Sequence, residues 1–222
     1  MLDRLKVFSI TFILFISSTS LINAKNFPPG YPECWQDNKN PIILNPKSSN
    51  QFCPLNSKLG HKFFLVDFTS PLKLAQVDWI KGRIFGDTLV KTTPPYHKIS
   101  YMKIDDTPPQ SQVISYSKCR AKTGDKSKYI GEETNSGCEG GKQIKEVFDA
   151  WKVLNANFEN KFIKPNNIEG KQSLIFEYFF HVLREAKVDF TNEYPKRELV
   201  IVSDLMQYSK RFSFYNHCKT SL

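Results

Sequence analysis

Two short and almost entirely apolar runs constrain the fold of this chain most. The first covers residues 62–67, with the sequence KFFLVD, and the second covers residues 198–203, with the sequence ELVIVS. Apolar residues at consecutive positions are typical of a strand that is covered on both faces, as in a parallel sheet flanked by helices. An aspartate ends the first run (Asp67) and another follows the second (Asp204). This pattern predicts an α/β fold.

Three segments with helical periodicity lie between these runs. Apolar residues recur every three or four positions from Leu74 to Ile84, from Ile144 to Phe162 and from Ile175 to Ala186, which is the spacing of amphipathic helices. Ser173 is placed to cap the third helix. We expect the aromatic side chains of the last two helices to lie in the core: Phe148, Trp151, Phe158, Phe176, Phe179 and Phe180.

Two further runs, at residues 97–104 and 111–117, have the composition of strands. The turn-rich residues between them are too few for a helical crossover, so the two strands should pair antiparallel. Residues 119–138 are polar and rich in Gly, Ser and Lys, and are predicted to form a surface loop. Together the elements predict a Rossmann-like three-layer sandwich with a mostly parallel sheet and one antiparallel edge strand.

The first 24 residues have the pattern of a secretory signal peptide. Arg4 and Lys6 precede the apolar residues 7–16, and the small residue Ala24 suits a cleavage point. The apolar run is shorter than the roughly 20 residues of a transmembrane helix, and an uncleaved membrane anchor is the alternative interpretation. We therefore expect a periplasmic or secreted protein with no membrane span after cleavage. Residues 25–60, rich in Pro, Asn, Ser and Lys, are predicted to form an irregular N-terminal arm.

All five cysteines lie in the predicted exported part, where disulfides form. Their order suggests the pairs Cys34–Cys53 and Cys119–Cys138, with Cys218 left over, although connectivity cannot be deduced from sequence. There is no CxxC motif, and the histidines lack zinc-type spacing. A structural zinc or a thioredoxin-like redox site is therefore not predicted.

The chain is basic, with a formal net charge of +9. Such a charge suits anionic lipid, polysaccharide or an acidic partner, but the basic residues are scattered and are typical of an ordinary solvated surface. Nucleic acid is not a predicted partner, because an exported chain rarely meets it.

The two aspartates and two hydroxyl residues form the candidate site. Ligands in an open α/β sheet bind outside the carboxyl ends of the strands, where Asp67, Thr69, Ser173 and Asp204 are expected. Carboxylate and hydroxyl oxygens suit Mg²⁺, Mn²⁺ or Ca²⁺. The alternative is that these residues only cap loops and helices, as Asp, Ser and Thr often do.

The order of these motifs resembles that of a von Willebrand factor A-type domain. DFTSP follows the first apolar run, an antiparallel strand pair comes next, Ser173 opens a helix, and IVSD closes a later strand. The sequence from Val200 to Met206, with FSFY at residues 212–215, also resembles exported bacterial proteins of this type. The resemblance covers roughly residues 62–215 and implies a metal-ion-dependent adhesion site.

By position, the resemblance implies that Asp67 and Thr69 take the first two places of the family's DxSxS loop. Ser173 then matches the isolated hydroxyl and Asp204 the later acid. One weakly bound divalent cation, Mg²⁺ or Mn²⁺, and a protein partner that offers an acidic group are implied. Pro71 stands where the third loop residue should be a serine, so one hydroxyl ligand is lost.

The resemblance also implies a longer sheet, because A-type domains continue with another strand, helix and strand. Few residues follow Asp204, so residues 61–222 are predicted to form an incomplete A-type domain without its last strands. It is either a fragment or a short form whose exposed sheet edge invites pairing.

Three functions remain open at this point. The leading one is a non-enzymatic protein-binding domain with a degenerate adhesion site. The second is a metal-dependent phosphohydrolase of the haloacid-dehalogenase type, although Thr69 stands where such enzymes have a second aspartate. The third is an envelope structural or assembly protein that holds no metal.

Overall fold

The structure, a computed structural model, describes residues 42–43, 45–54, 58–125, 127–129, 132, 141–165, 169–185 and 188–204. The elements within them are, in chain order, β1 (His61–Asp67), α1 (Leu74–Ile84), α2 (Gly86–Thr92), β2 (Lys98–Ile104), a 3₁₀ turn (Pro109–Ser111), β3 (Tyr116–Cys119), α3 (Gly141–Phe162), α4 (Ile175–Arg184) and β4 (Arg197–Val202). The predicted signal peptide, Cys34, Cys138 and Cys218 lie outside these ranges. No helix of the described ranges has the length and apolar character needed to cross a bilayer.

The sheet has the strand order β3-β2-β1-β4. β1 pairs in parallel with both β2 and β4, and β3 is antiparallel to β2 at the edge. The predicted α/β fold with a mostly parallel sheet and one antiparallel edge strand is confirmed. β1 is the most protected strand, because all seven of its residues are buried.

Helices cover both faces of the sheet and make the two outer layers of the sandwich. Phe64 and Val66 of β1 belong to one apolar cluster with residues of α1, α2 and α3. Phe63 and Leu65 belong to a second cluster with residues of α4. This division follows from the alternation of side chains along a strand. The continuous apolar run of β1 therefore fills two cores.

Tyr101 of β2 organises the first cluster. Its ring stacks between Phe64 and Phe85, with centroid distances of 4.7 Å and 4.8 Å. Its hydroxyl donates to the carbonyl oxygen of Ile84 at 2.7 Å, so the polar end of this fully buried side chain is satisfied. The ring stack joins β1 and β2 to the junction between α1 and α2.

The edge strand begins later than predicted. Residues 109–111 form the 3₁₀ turn, and the ladder runs from Tyr116 to Cys119, with Tyr116 opposite Tyr101. Within this turn the backbone N–H groups of Ser111 and Gln112 donate to the carbonyl oxygens of Pro108 and Pro109, so the first residues of the predicted strand are not available to β2. The antiparallel pairing itself is confirmed.

The N-terminal arm packs against this edge. Phe52 is buried in the first cluster although its φ of 65° is unusual for a residue with a side chain. The backbone carbonyl oxygen of Gln51 accepts a hydrogen bond from the backbone N–H of Cys119 at 2.9 Å. The ammonium of Lys118 donates to the carbonyl oxygen of Pro46, also at 2.9 Å. The arm therefore lies along β3.

This packing gives a different disulfide from the one predicted. Cys53 is bonded to Cys119, 66 positions away in the sequence. The predicted pairs Cys34–Cys53 and Cys119–Cys138 are therefore wrong in this structure. The physical reason is that the burial of Phe52 and the backbone bond from Cys119 bring the arm to the edge strand.

Part of the predicted surface loop after β3 is buried. The side chains of Arg120 and Glu132 are both fully inaccessible and form an ion pair at 2.5 Å. The second oxygen of Glu132 accepts hydrogen bonds from the backbone of Thr123 at 2.7 Å and of Gly124 at 2.9 Å. The prediction of a surface loop is wrong for these residues, because a buried charge pair holds them against the domain.

The opposite edge is less covered. Every residue of β4 is half-buried, whereas its sequence predicts a fully buried strand. α4 packs on the sheet through Ile175, Tyr178 and Val182, so Phe176 and Phe180 point away, with 44% and 47% of their surfaces exposed. The prediction that these two phenylalanines lie in the core is wrong.

A buried polar cluster lies at the amino-terminal ends of the strands. Nε2 of His61 is 2.9 Å from the Ser100 hydroxyl, and Nδ1 is 3.0 Å from the carbonyl oxygen of Asp189. Burial, followed by the charge of Lys98, lowers the pKa of His61 to about 3. Burial and nearby basic groups also lower the pKa of His97 to about 4. Both imidazoles are therefore neutral in the folded protein at neutral pH.

We expect the free energy of unfolding to fall on acidification. An unfolded histidine takes up a proton near pH 6.5, whereas His61 and His97 do so only near pH 3 and 4, so the unfolded chain gains protons first. The loss approaches about 1.4 kcal/mol per pH unit for each of these two histidines below about pH 6.5. Urea unfolding at several values between about pH 7 and pH 4.5 measures it. His61→Gln, which takes up no proton, should show a shallower slope; an unchanged slope contradicts the prediction.

Candidate functional site

The carboxyl ends of the three parallel strands β1, β2 and β4 lie together along one side of the sheet, here called the edge. The chain passes from β1 to β2 and β3 on one side, and later returns to place β4 on the other side of β1. The gap between β1 and β4 is therefore a topological switch point, which is where α/β sheets bind ligands. Asp67 ends β1 there, and Ser203 and Asp204 follow β4.

Asp67 organises the loop that follows β1. One carboxylate oxygen, Oδ1, accepts hydrogen bonds from the backbone of Thr69 at 2.9 Å and from its hydroxyl at 2.6 Å. Both residues are buried. An aspartate that binds the backbone two residues ahead is a common local turn, so the Asp-x-Thr spacing is sufficient to build this half of the site.

The other oxygen of Asp67 accepts from two serines that are distant in sequence. The hydroxyl of Ser203 donates to Oδ2 at 2.7 Å, and the hydroxyl of Ser173 donates to it at 3.3 Å. α4 begins at Ile175 with Leu174 at the N-cap position. The predicted cap role of Ser173 is therefore wrong, and its hydroxyl is directed to Asp67 instead.

The loop before α4 is tied to its neighbours on both sides. Gly170 donates its backbone N–H to the carbonyl oxygen of Thr69 at 2.7 Å, and Gln172 donates a side-chain hydrogen bond to the carbonyl oxygen of Asp106 at 2.7 Å. A Cβ on Gly170 would lie only 3.2 Å from the oxygen of Thr69. Glycine therefore permits the close approach that carries Ser173 to the site.

The structure thus brings together three of the four predicted residues, Asp67, Thr69 and Ser173. Asp204 lies at the same edge, one residue past Ser203, and its side chain is exposed. Ser203 is not among the predicted site residues. The pairing register of β1 and β4 indicates Ser203. Val202 lies opposite Val66, so the residue that follows Val202 lies beside Asp67.

A second Asp-x-Thr turn follows the neighbouring strand β2. Asp105 accepts from the backbone of Thr107 at 2.9 Å and from its hydroxyl at 2.6 Å, as Asp67 does from Thr69. Its other partners are the amide of Gln112 and the phenol of Tyr178 rather than serine hydroxyls. Asp105 therefore matches Asp67 in local geometry but not in surroundings.

A positive charge lies near the same edge of the sheet. Lys103 of β2 is opposite Val66, and its ammonium lies 4.6 Å from the ring centre of Phe68 and 5.3 Å from that of Phe162. Burial lowers the pKa of this ammonium. The contact with two aromatic rings stabilises this positive charge, and the charge attracts anions to this part of the sheet.

The donor chemistry around Asp67 fits a hard divalent cation. The groups are the buried carboxylate of Asp67 and three hydroxyls, all oxygen donors of the kind that Mg²⁺ and Mn²⁺ prefer. A hydroxyl can donate its proton to Asp67 and still offer a lone pair to a cation. The described part of the chain contains no group of three or more His, Cys, Asp or Glu suited to a metal. A cation here would therefore depend on hydroxyl oxygens.

Comparison with known proteins gives no relative from which to transfer a function. No protein-family model matches the chain, and no curated protein and no solved structure matches it either.

Proposed function

We propose that this chain is an exported, non-enzymatic protein-binding domain of the von Willebrand factor A type. A divalent cation, Mg²⁺ or Mn²⁺, is held by Asp67, Thr69 and Ser173, with Asp204 nearby, and it takes an acidic group of a protein partner as a further ligand.

The observation that carries this proposal is the convergence of hydroxyl groups on the buried carboxylate of Asp67 at the switch point. The proposal is also supported by Lys103, whose charge favours an acidic group at this edge. The pattern of residues 1–24 supports export. The Cys53–Cys119 disulfide suits an oxidising compartment.

The first test is stabilisation by the cation. A ligand that binds only the folded state raises the free energy of unfolding by RT ln(1 + [L]/Kd), or about 1.4 kcal/mol at about ten times Kd. With a weak site, Kd about 1 mM, about 10 mM Mg²⁺ or Mn²⁺ is expected to raise the melting temperature by about 3–5 °C. Thermal unfolding in cation and in chelator measures the difference.

The matched pair Asp67→Asn and Asp105→Asn controls for the loss of an aspartate at a strand end. Asp67→Asn should lose the stabilisation, whereas Asp105→Asn, in the twin turn, should keep it. Equal stabilisation of Asp67→Asn and the wild-type chain, or none in the wild type, overturns the cation site.

The second test separates cation-dependent capture from an ion-independent assembly role. The immobilised protein should retain a partner from an envelope extract in Mg²⁺ and release it in chelator, and Asp67→Asn should retain none. Capture that is equal in both buffers and in both variants would instead favour an assembly protein with no metal.

A further inference from the structure

The hydroxyl of Ser203 is the feature of the site that the resemblance does not assign. Among the two serines that reach Oδ2 of Asp67, Ser203 is the closer, at 2.7 Å against 3.3 Å for Ser173. Ser203 directly follows β4, and Asp67 ends β1, so this hydrogen bond crosses the switch point.

The loop after Asp67 lacks one hydroxyl that the family pattern contains. Pro71 occupies the third place of the loop and has no side-chain oxygen. Ser70 is exposed, whereas Ser203 is half-buried beside the carboxylate. A hydroxyl is therefore present near Asp67, but it is supplied by a different strand.

We propose that Ser203 replaces the missing loop serine as a direct oxygen ligand of the cation. This inference rests on the proposed function. Because its oxygen carries two lone pairs, Ser203 can donate its proton to Asp67 and coordinate a cation at the same time. The site then has one buried carboxylate and three hydroxyls, from Thr69, Ser173 and Ser203, which is a hard donor set suited to Mg²⁺ and Mn²⁺.

The test compares the cation-induced change in melting temperature, and Kd from calorimetry, among variants of the full chain. Ser203→Ala is expected to weaken Mg²⁺ and Mn²⁺ binding at least about tenfold, because changes close to a metal cost about 10- to 100-fold in affinity. Ser203→Thr keeps a hydroxyl and should keep binding. Ser117→Ala is the matched control, because it removes the hydrogen bond to the Ser100 hydroxyl away from Asp67 and should leave binding unchanged.

Ser203→Cys distinguishes a ligand from a purely structural hydrogen-bonding partner. Its sulfur is a soft donor, so this variant should lose affinity for Mg²⁺ and gain affinity for Zn²⁺ relative to the wild-type chain. It is nearly isosteric with serine and so serves if Ser203→Ala does not fold. A metal preference that does not change in Ser203→Cys overturns the inference.

The outcomes also separate the inference from the function on which it rests. If the wild-type chain binds neither Mg²⁺ nor Mn²⁺, the proposed function fails and the inference fails with it. If the wild-type chain and Ser203→Ala bind equally well, while Asp67→Asn does not bind, Ser203 is not a ligand and the proposed function stands.

Discussion

Arg120→Met is expected to lower the free energy of unfolding by about 3–5 kcal/mol, which is the usual cost of removing one partner from a buried ion pair. The side chain of Glu132 is fully buried, and its carboxylate accepts a hydrogen bond from the guanidinium of Arg120 at 2.5 Å. Without Arg120, the buried negative charge keeps the backbone hydrogen bonds of Thr123 and Gly124 but loses its cationic partner among the described residues. Urea unfolding, followed by circular dichroism, measures the loss.

The double variant Arg120→Met with Glu132→Met is the control. Replacing both charges with apolar residues removes the desolvation penalty together with the attraction, so the double variant should be more stable than Arg120→Met alone. If Arg120→Met lowers the free energy of unfolding by less than about 1 kcal/mol, the prediction is contradicted, because the pair then contributes no more than a weak surface salt bridge.

Replacing both Cys53 and Cys119 with serine is expected to cost about 4 kcal/mol of unfolding free energy. In the chain-entropy description, a bond that joins residues 66 positions apart removes a large loop-closure entropy from the unfolded chain. The urea midpoints of the oxidised wild-type chain and the double variant give the difference. The control repeats the comparison in a reducing agent, where the wild-type chain also lacks this bond and the two midpoints should nearly coincide. Equal midpoints for the double variant and the wild-type chain contradict the prediction.

The sequence is most informative where a pattern is local. The apolar run before Asp67 and the periodicities of α1 and α3 predict elements at almost their observed positions. A strand buried on both faces requires a continuous apolar run, and a helix buried on one face requires an apolar residue every three or four positions. The antiparallel β3 is also predicted in kind, but not in position, because its pairing depends on the 3₁₀ turn before it.

Features that depend on distant residues could not be predicted in this way. The partner of Cys53 follows from how the arm packs on β3. The burial of Glu132 follows from its ion pair with Arg120, 12 positions earlier, which no local pattern indicates. In the site, the bond between Asp67 and Thr69 is local, whereas the bond from Ser203 spans 136 positions and depends on the register of β4. Local spacing therefore predicts the half of the site within one loop, the resemblance adds Ser173 and Asp204, and only Ser203 is missed.

The position of the arm has a consequence for storage and purification. An uncovered outer strand presents unpaired backbone groups that template pairing with other molecules. Here the segment around Gln51 shields β3, and the bond between Cys53 and Cys119 keeps it in place. Reduction of this bond therefore weakens the attachment of the arm to β3, and any pairing between molecules that follows is expected at the β3 edge.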